Sequence, residues 1–388
     1  MSRPSRPILL AAALCATAIA AQAQGNAPIK VGLMLPATGT YAGLGTAIEN
    51  GFKLYVQEHG GKLAGRSIEY FKVDDESDPS KATDNVNKLI KRDNVDVLVG
   101  TVHSGVALAM AKAARDNNTL FIVANAGADA ITGPMCAPNI VRSSFSNWQP
   151  GYATGIAATG KGYKRAMTIT WNYAAGAEAV KGFTEGFEKG GGKVTKDLNL
   201  PFPNVEFQAL LTEIAAQKPD VVFAFFAGGG AVKFVKDYAA AGLNKTVPLM
   251  GSGFLTDGTL EAQGAAAQGL LTALHYADNL DTPRNNKFRK DYAIAYKSNA
   301  DVYAVQGYDA AQILAAGLNA AKGDLAKRDV ITTAMRKVVV DSPRGKFTIS
   351  AAGNPVQDMY LREVKGLDNN MVSIAVKALA DPARGCKM

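Results

Sequence analysis

The feature that most constrains this chain is an alternation that runs through it twice, short apolar runs separated by amphipathic segments of helical period. Ile29 to Leu35 (IKVGLML) reads as a strand, followed by a glycine-rich turn and a helix with Leu44, Ile48, Phe52 and Tyr55 on one face. Ser67 to Val73 is a second strand. The helix after it is announced by Asp78-Pro79-Ser80 and carries Ala82, Val86, Leu89 and Ile90 on its buried stripe. Val95 to Val99, a helix over about 104–115, and Thr119 to Ala124 complete the first round. The rhythm restarts near residue 164, with strands at 164–170, 194–200, 219–226 and 246–250 and helices at about 176–189, 207–217 and 231–241. Strands apolar along their whole length need cover on both faces, which predicts parallel sheets flanked by helices. The expected fold class is therefore α/β, with two doubly wound, Rossmann-like lobes. Two long helical patterns (about 284–297 and 303–321) and short strands near 346–349, 359–364 and 372–376 form a tail, which must return to the lobes because short strands alone bury no core.

The first residues point to export. Arg3 and Arg6, an apolar run from Ile8 to Ala20, and Ala21-Gln22-Ala23 form the three parts of a secretory signal, expected to span residues 1–23. The apolar run is shorter than the roughly 20 residues a membrane span needs. Cleavage would also remove Cys15, leaving Cys136 and Cys386 as an even pair in an oxidising compartment, expected to form a disulfide, with two free thiols as the alternative. The formal charge of +8 raises nucleic acid as a partner, but no run of Lys and Arg exceeds a pair such as Lys91-Arg92, so none is expected.

Ligands of open α/β sheets bind beyond the carboxyl ends of the strands. Four strand-end loops are rich in small residues: Pro36 to Gly45 around Tyr41, Gly100 to Gly105 with His103 and Ser104, Asn125 to Asp129, and Gly228-Gly229-Gly230 after Phe226. Small residues let the backbone approach a ligand, and free amides at a helix start favour an anion. Ser104 sits where its hydroxyl either holds a carboxylate or merely caps the helix.

Enzyme signatures mostly fail. Gly155 to Lys161 has P-loop spacing, but Gly162 stands where the Mg²⁺-binding Ser/Thr belongs, and a strand follows rather than precedes it. Gly43-x-Gly45 lacks the third glycine of a dinucleotide fingerprint, and Asp74 to Asp78 lacks the glycine and closing glutamate of a calcium loop. His59, His103 and His275 are too dispersed for a local metal motif, so neither metal nor cofactor is expected.

The combination of the signal peptide, IKVGLMLPATGTYAGLG, FKVDDESDPSKA, VDVLVGTVHSGVALAMA and VYAVQGYDAAQIL resembles the type I periplasmic substrate-binding proteins of ABC importers, in the leucine/isoleucine/valine-binding-like group. The resemblance covers the mature chain. It implies an inter-lobe cleft, three crossover segments, lobes of residues 28–144 with 279–345 and 145–278 with 346–388, a monomer, and an ABC permease as partner. It places Tyr41, His103, Ser104, Asn125, Ala126 and Gly127 at the first-lobe side of the ligand, where family members hold a carboxylate through hydroxyls and amides. Tyr173, Phe226, Gly228 and Phe254 lie opposite, and RSSFSNWQ adds Trp148 and Gln149 and resembles members that take up aromatic acids. Amino-acid binders of this group hold the ligand ammonium with an acidic second-lobe residue. Here the matching stretch is Gly251-Ser252-Gly253-Phe254, and a second such position is Asn172. A buried ammonium without a carboxylate is poorly compensated. The expected ligand is a small aromatic carboxylate. A branched-chain amino acid or amide, a sensor docking on a regulator, and an enzyme remain the alternatives.

Overall fold

The computed structural model describes residues 27–388, so the expected signal peptide lies outside the described residues. The first sheet comprises β1 (Ile29–Leu35), β2 (Lys62–Leu63), β3 (Arg66–Asp74), β4 (Val97–Gly100), β5 (Leu120–Val123) and β6 (Ile140–Arg142). Its order is β2-β3-β1-β4-β5-β6, parallel throughout except for the β2–β3 hairpin. Six of the seven β1 residues are buried, as a strand covered on both faces requires. Helices α1 (Ala42–Glu58), α2 (Pro79–Asn87) and α3 (Ser104–Asp116) follow β1, β3 and β4. The acidic loop before α2 is a strand-end turn and cap. Asp78 accepts from the Ser80 amide at 2.9 Å with Pro79 in the first turn, while Asp74 gathers the amides of Ala37, Thr38 and Glu76.

The chain then enters α4 (Trp148–Gly160), a helix the apolar pattern did not announce, and α5 (Ala174–Lys189) follows the next strand. The P-loop-like spacing lies inside α4. Its glycines serve packing, since a Cβ on Gly151 or Gly155 would strike the carbonyls of Ala179 and Phe183, and one on Gly182 or Gly186 those of Trp148 and Tyr152. The two helices thus touch backbone to backbone, and an interface of Gly, Ala and Thr leaves no apolar period to read.

The second sheet holds β7 (Arg165–Trp171), β8 (Lys193–Leu200), β9 (Val221–Phe225), β10 (Leu249–Ser252) and β11 (Leu271–Leu274), with α6 (Gln208–Gln217) and α7 (Gly228–Ala240) between strands. After α8 (Pro283–Tyr296), α9 (Val302–Ala320) and α10 (Arg328–Lys337), the tail adds β12 (Val339–Ser342), β13 (Gly345–Ile349), β14 (Pro355–Lys365) and β15 (Asp368–Leu379). The order is β12-β13-β14-β11-β10-β9-β7-β8, with β15 on β14. Two expectations are corrected. The tail strands β14 and β15 are 11 and 12 residues long rather than short, because antiparallel pairing carries them through polar stretches such as Glu363 opposite Asn370. Residues 339–342, expected with the first lobe, form a hairpin with β13 and so join the second sheet.

Cys136 and Cys386 are disulfide-bonded, with Cα atoms 5.6 Å apart and a separation of 250 positions in sequence. Among the described residues no helix is long and apolar enough to cross a membrane.

Candidate functional site

The carboxyl ends of the two sheets face one another across a small cavity. Ser104, Asn125 and Gly127 line it from the first sheet, and Tyr173, Ala175, Phe225, Ala227 and Phe254 from the second. Tyr41, Val102, Phe145, Asn147 and Tyr303 complete the wall. Its volume of about 20 Å³ holds roughly one water molecule, so admitting a larger ligand requires the two sides to part.

Most of the polar groups are held by hydrogen bonds from neighbouring residues. The Tyr41 amide donates to Ser77 Oγ (3.3 Å), and the Ser77 amide to Asp75, whose carboxyl burial pushes up to about 6. The Tyr41 and Tyr173 hydroxyls meet at 3.0 Å, linking the two sides, and both titrate above the usual tyrosine range because burial disfavours the phenolate. Asn125 donates to Gln306 (2.6 Å), which in turn reaches His275 (3.2 Å). Arg344 donates to the carbonyls of Ser143 (2.5 Å) and Ser144 (3.1 Å), fixing the segment that delivers Phe145 and Asn147.

The helix start resolves the two roles left open for Ser104. The cap is His103, whose Nδ1 accepts from the Gly105 amide at 3.0 Å. This requires an unprotonated Nδ1, and burial lowers the His103 pKa to about 4. The Ser104 hydroxyl is freed from capping. It accepts from Asn147 at 3.2 Å and keeps its own proton to donate. Among the described residues the Gly127 amide has no protein acceptor. The site therefore offers a hydroxyl, a free amide and the positive end of α3, all suited to an anion.

Much of the rest of the wall is aromatic. Phe145 lies 4.5 Å from Phe254, which packs on Phe225 (6.3 Å) and Tyr303 (5.9 Å). Neither Asp nor Glu lines the cavity. The closest candidate in sequence, Asp257, is paired with Arg362 at 2.7 Å. Glu178 stands behind Asn147, accepting from its side chain (2.8 Å) and from the Asp129 amide (3.1 Å).

Of the expected site residues, Tyr41, Ser104, Asn125, Gly127, Tyr173 and Phe254 come together at the cavity. The others do not line it. His103 is the cap, packed on Tyr173 and Phe202. Ala126 is buried, its amide spent on Thr101. Trp148 stacks on Tyr152 and donates to Glu185, and Gln149 is spent on the carbonyls of Pro355 and Leu379. Phe226 sits in the core with Trp171, Phe207 and Phe234. Gly228 abuts the Thr40 carbonyl across the cleft rather than the cavity. Residues that sequence reasoning missed include Asn147, Phe225 and Tyr303. Side chains alternate along a strand, so Phe225 and Ala227 share the face opposite Phe226. That parity was the available signal.

The architecture agrees with that of other proteins. The profile of a family described as periplasmic binding protein matches residues 28–370. The chain belongs to that family. Among solved structures, this periplasmic binding protein is 56% identical to an ABC-transporter solute-binding protein from R. palustris in complex with benzoate, with a TM-score of 0.91 over 93% of this chain and 100% of that one. A second, from Rhodopseudomonas palustris BisB5 in complex with 3,4-dihydroxybenzoic acid, is 33% identical with a TM-score of 0.86, covering 92% and 99%. The Leu/Ile/Val-binding protein homolog 6 of Brucella melitensis is 30% identical over 92% of this chain and 93% of its own length. These relatives are binding proteins rather than enzymes by description. The two-lobed α/β fold is thus that of the periplasmic binding proteins, and the cavity lies where the two sheets of this one meet.

Proposed function

We propose that this protein captures a small aromatic carboxylate of the benzoate or lignin-derived type between its lobes in the periplasm and hands it, unchanged, to an ABC permease. The observation that carries this is the make-up of the cavity. Neutral donors and a helix start occupy one part, aromatic rings much of the remainder, and no carboxylate is present to meet an ammonium. Burying a ring of about 150 Å² contributes about 4 kcal/mol, and each hydrogen bond to a carboxylate about 1.5–3 kcal/mol. Ring and carboxylate therefore weigh comparably, and a ligand with only one of them forfeits much of its affinity. The benzoate and dihydroxybenzoate complexes of similar proteins support this reading.

In this account the protein is a monomer exported on residues 1–23. Its lobes are 28–144 with 279–345 and 145–278 with 346–388, save for the strand at 339–342 that joins the second sheet. They close about the crossover segments. The Leu/Ile/Val-binding relative favours a second reading, a branched-chain amino acid in the same cleft. A thermal-shift panel of benzoate-type acids against leucine, isoleucine and valine separates the two. Stabilisation by the aromatic acids alone is expected, and stabilisation by leucine alone contradicts the proposal.

A further inference from the structure

Tyr303 lies in the first turn of α9 and lines the cavity on the side of Phe254 and Gly258. Its side chain is 1% exposed, yet among the described residues its hydroxyl has no hydrogen-bond partner. It is the one cavity-lining residue in that condition among those described. The Tyr41 and Tyr173 hydroxyls share one hydrogen bond, and the Ser104 oxygen accepts from Asn147. A buried hydroxyl normally has a partner, and one without is costly, so a lone one on a residue that lines the ligand cavity calls for a group on the ligand.

Resting on the proposed function, we infer that Tyr303 reads a hydroxyl on the ring of the aromatic acid, so that the preferred ligand is a hydroxybenzoate rather than benzoate itself. An unsubstituted ring presents only C–H to this hydroxyl. A phenolic hydroxyl both donates and accepts, and so completes the pair whichever way the Tyr303 proton points. The carboxylate is already provided for by Ser104, the Gly127 amide and the start of α3. Ring recognition then falls to the rest of the wall, where Phe145, Phe225 and Phe254 have nothing polar to offer. Sites built to bond a ligand hydroxyl discriminate strongly against analogues that lack it, because the protein group is left unpaired.

The test is calorimetric titration of the wild type and Tyr303→Phe with benzoate, the three monohydroxybenzoates and 3,4-dihydroxybenzoate. The wild type should bind at least one hydroxylated acid about tenfold or more tighter than benzoate. In Tyr303→Phe that preference should collapse to within about threefold. Because Phe keeps the ring and its packing, a circular-dichroism melt checks the fold. A structure with the preferred acid bound should place its phenolic oxygen within hydrogen-bonding distance of Tyr303 Oη. A wild type that binds benzoate as tightly as every hydroxylated acid overturns the inference but leaves the proposed function standing. So does a hydroxyl preference unchanged by the substitution, as when Tyr303 serves the carboxylate instead. Failure of every aromatic acid to bind overturns both.

Discussion

Ser104 and His103 show how two neighbouring residues divide a task that looks like one. The chain has a polar residue at the start of α3 and a serine is the expected cap, but the histidine caps and the serine faces the cavity. The two roles predict different losses. Ser104→Ala should weaken a carboxylate ligand by about 1.5–3 kcal/mol with little change in melting temperature. His103→Ala should lower stability by about 1 kcal/mol through the lost cap, plus what its packing on Tyr173 and Phe202 contributes. Calorimetry and thermal melts on the pair of variants check this, and equal affinity losses in both would contradict the division. At this scale the sequence was partly legible. Tyr41, Ser104, Asn125 and Gly127 follow from strand-end loops of small residues. Phe225 was legible only through strand parity at β9, and Asn147 and Tyr303 were not, because the turn before α4 and the facing of the first turn of α9 depend on tertiary register.

Helix α5 brings the Glu178 carboxylate onto the amide of Asp129, which belongs to the short turn after β5, so two buried carboxyls act on each other where the two sides of the cleft touch. Burial first, then Glu178 and Asp381, push Asp129 up to about 8, and burial raises Glu178 as well. An exposed Asp titrates near 4. Between about pH 4 and 8 the closed form therefore holds more protons than an open form in which these groups meet water. Closure takes up a proton in that window and is favoured as pH falls. His103, lowered to about 4, acts in the opposite sense between about 6.5 and 4, because it must stay neutral to cap. Above pH 6.5 the opposing His103 contribution is gone, and Asp129 acts in the same direction as Asp301, whose carboxyl burial pushes up to about 7. There, ligand affinity should fall as pH rises, and Asp129→Asn should flatten the profile. Titration in buffers of different ionisation enthalpy measures the proton uptake directly. Affinity independent of pH in the wild type across that window would contradict this account. Most elements were legible from the apolar period. Helix α4 was not, since a glycine-lined interface with α5 replaces the apolar stripe by backbone contact.

At the scale of the whole molecule the tail decides the connectivity. Strands β12 to β15 return to the second sheet, and the Cys136–Cys386 bond then ties the end of the chain back to the turn beyond β5. Closing so long a loop restricts the unfolded chain, so replacing both cysteines by serine should cost about 2–5 kcal/mol in chemical denaturation. Unchanged stability would mean that the bond does not form or does not matter. Two lobes and a disulfide were readable from repeated βα periods and an even cysteine pair. The lengths of β14 and β15 were not, because pairing partners rather than local propensity extend them. The central claim is that neutral donors and aromatic rings, with no acidic partner, make the cleft a receptor for an aromatic carboxylate. Isothermal titration of the purified protein with benzoate-type acids and with leucine tests it most directly. The account predicts one molecule of an aromatic acid bound per chain, with affinity lost in Ser104→Ala, and no heat with leucine. One-to-one binding of leucine with no response to any aromatic acid would contradict it.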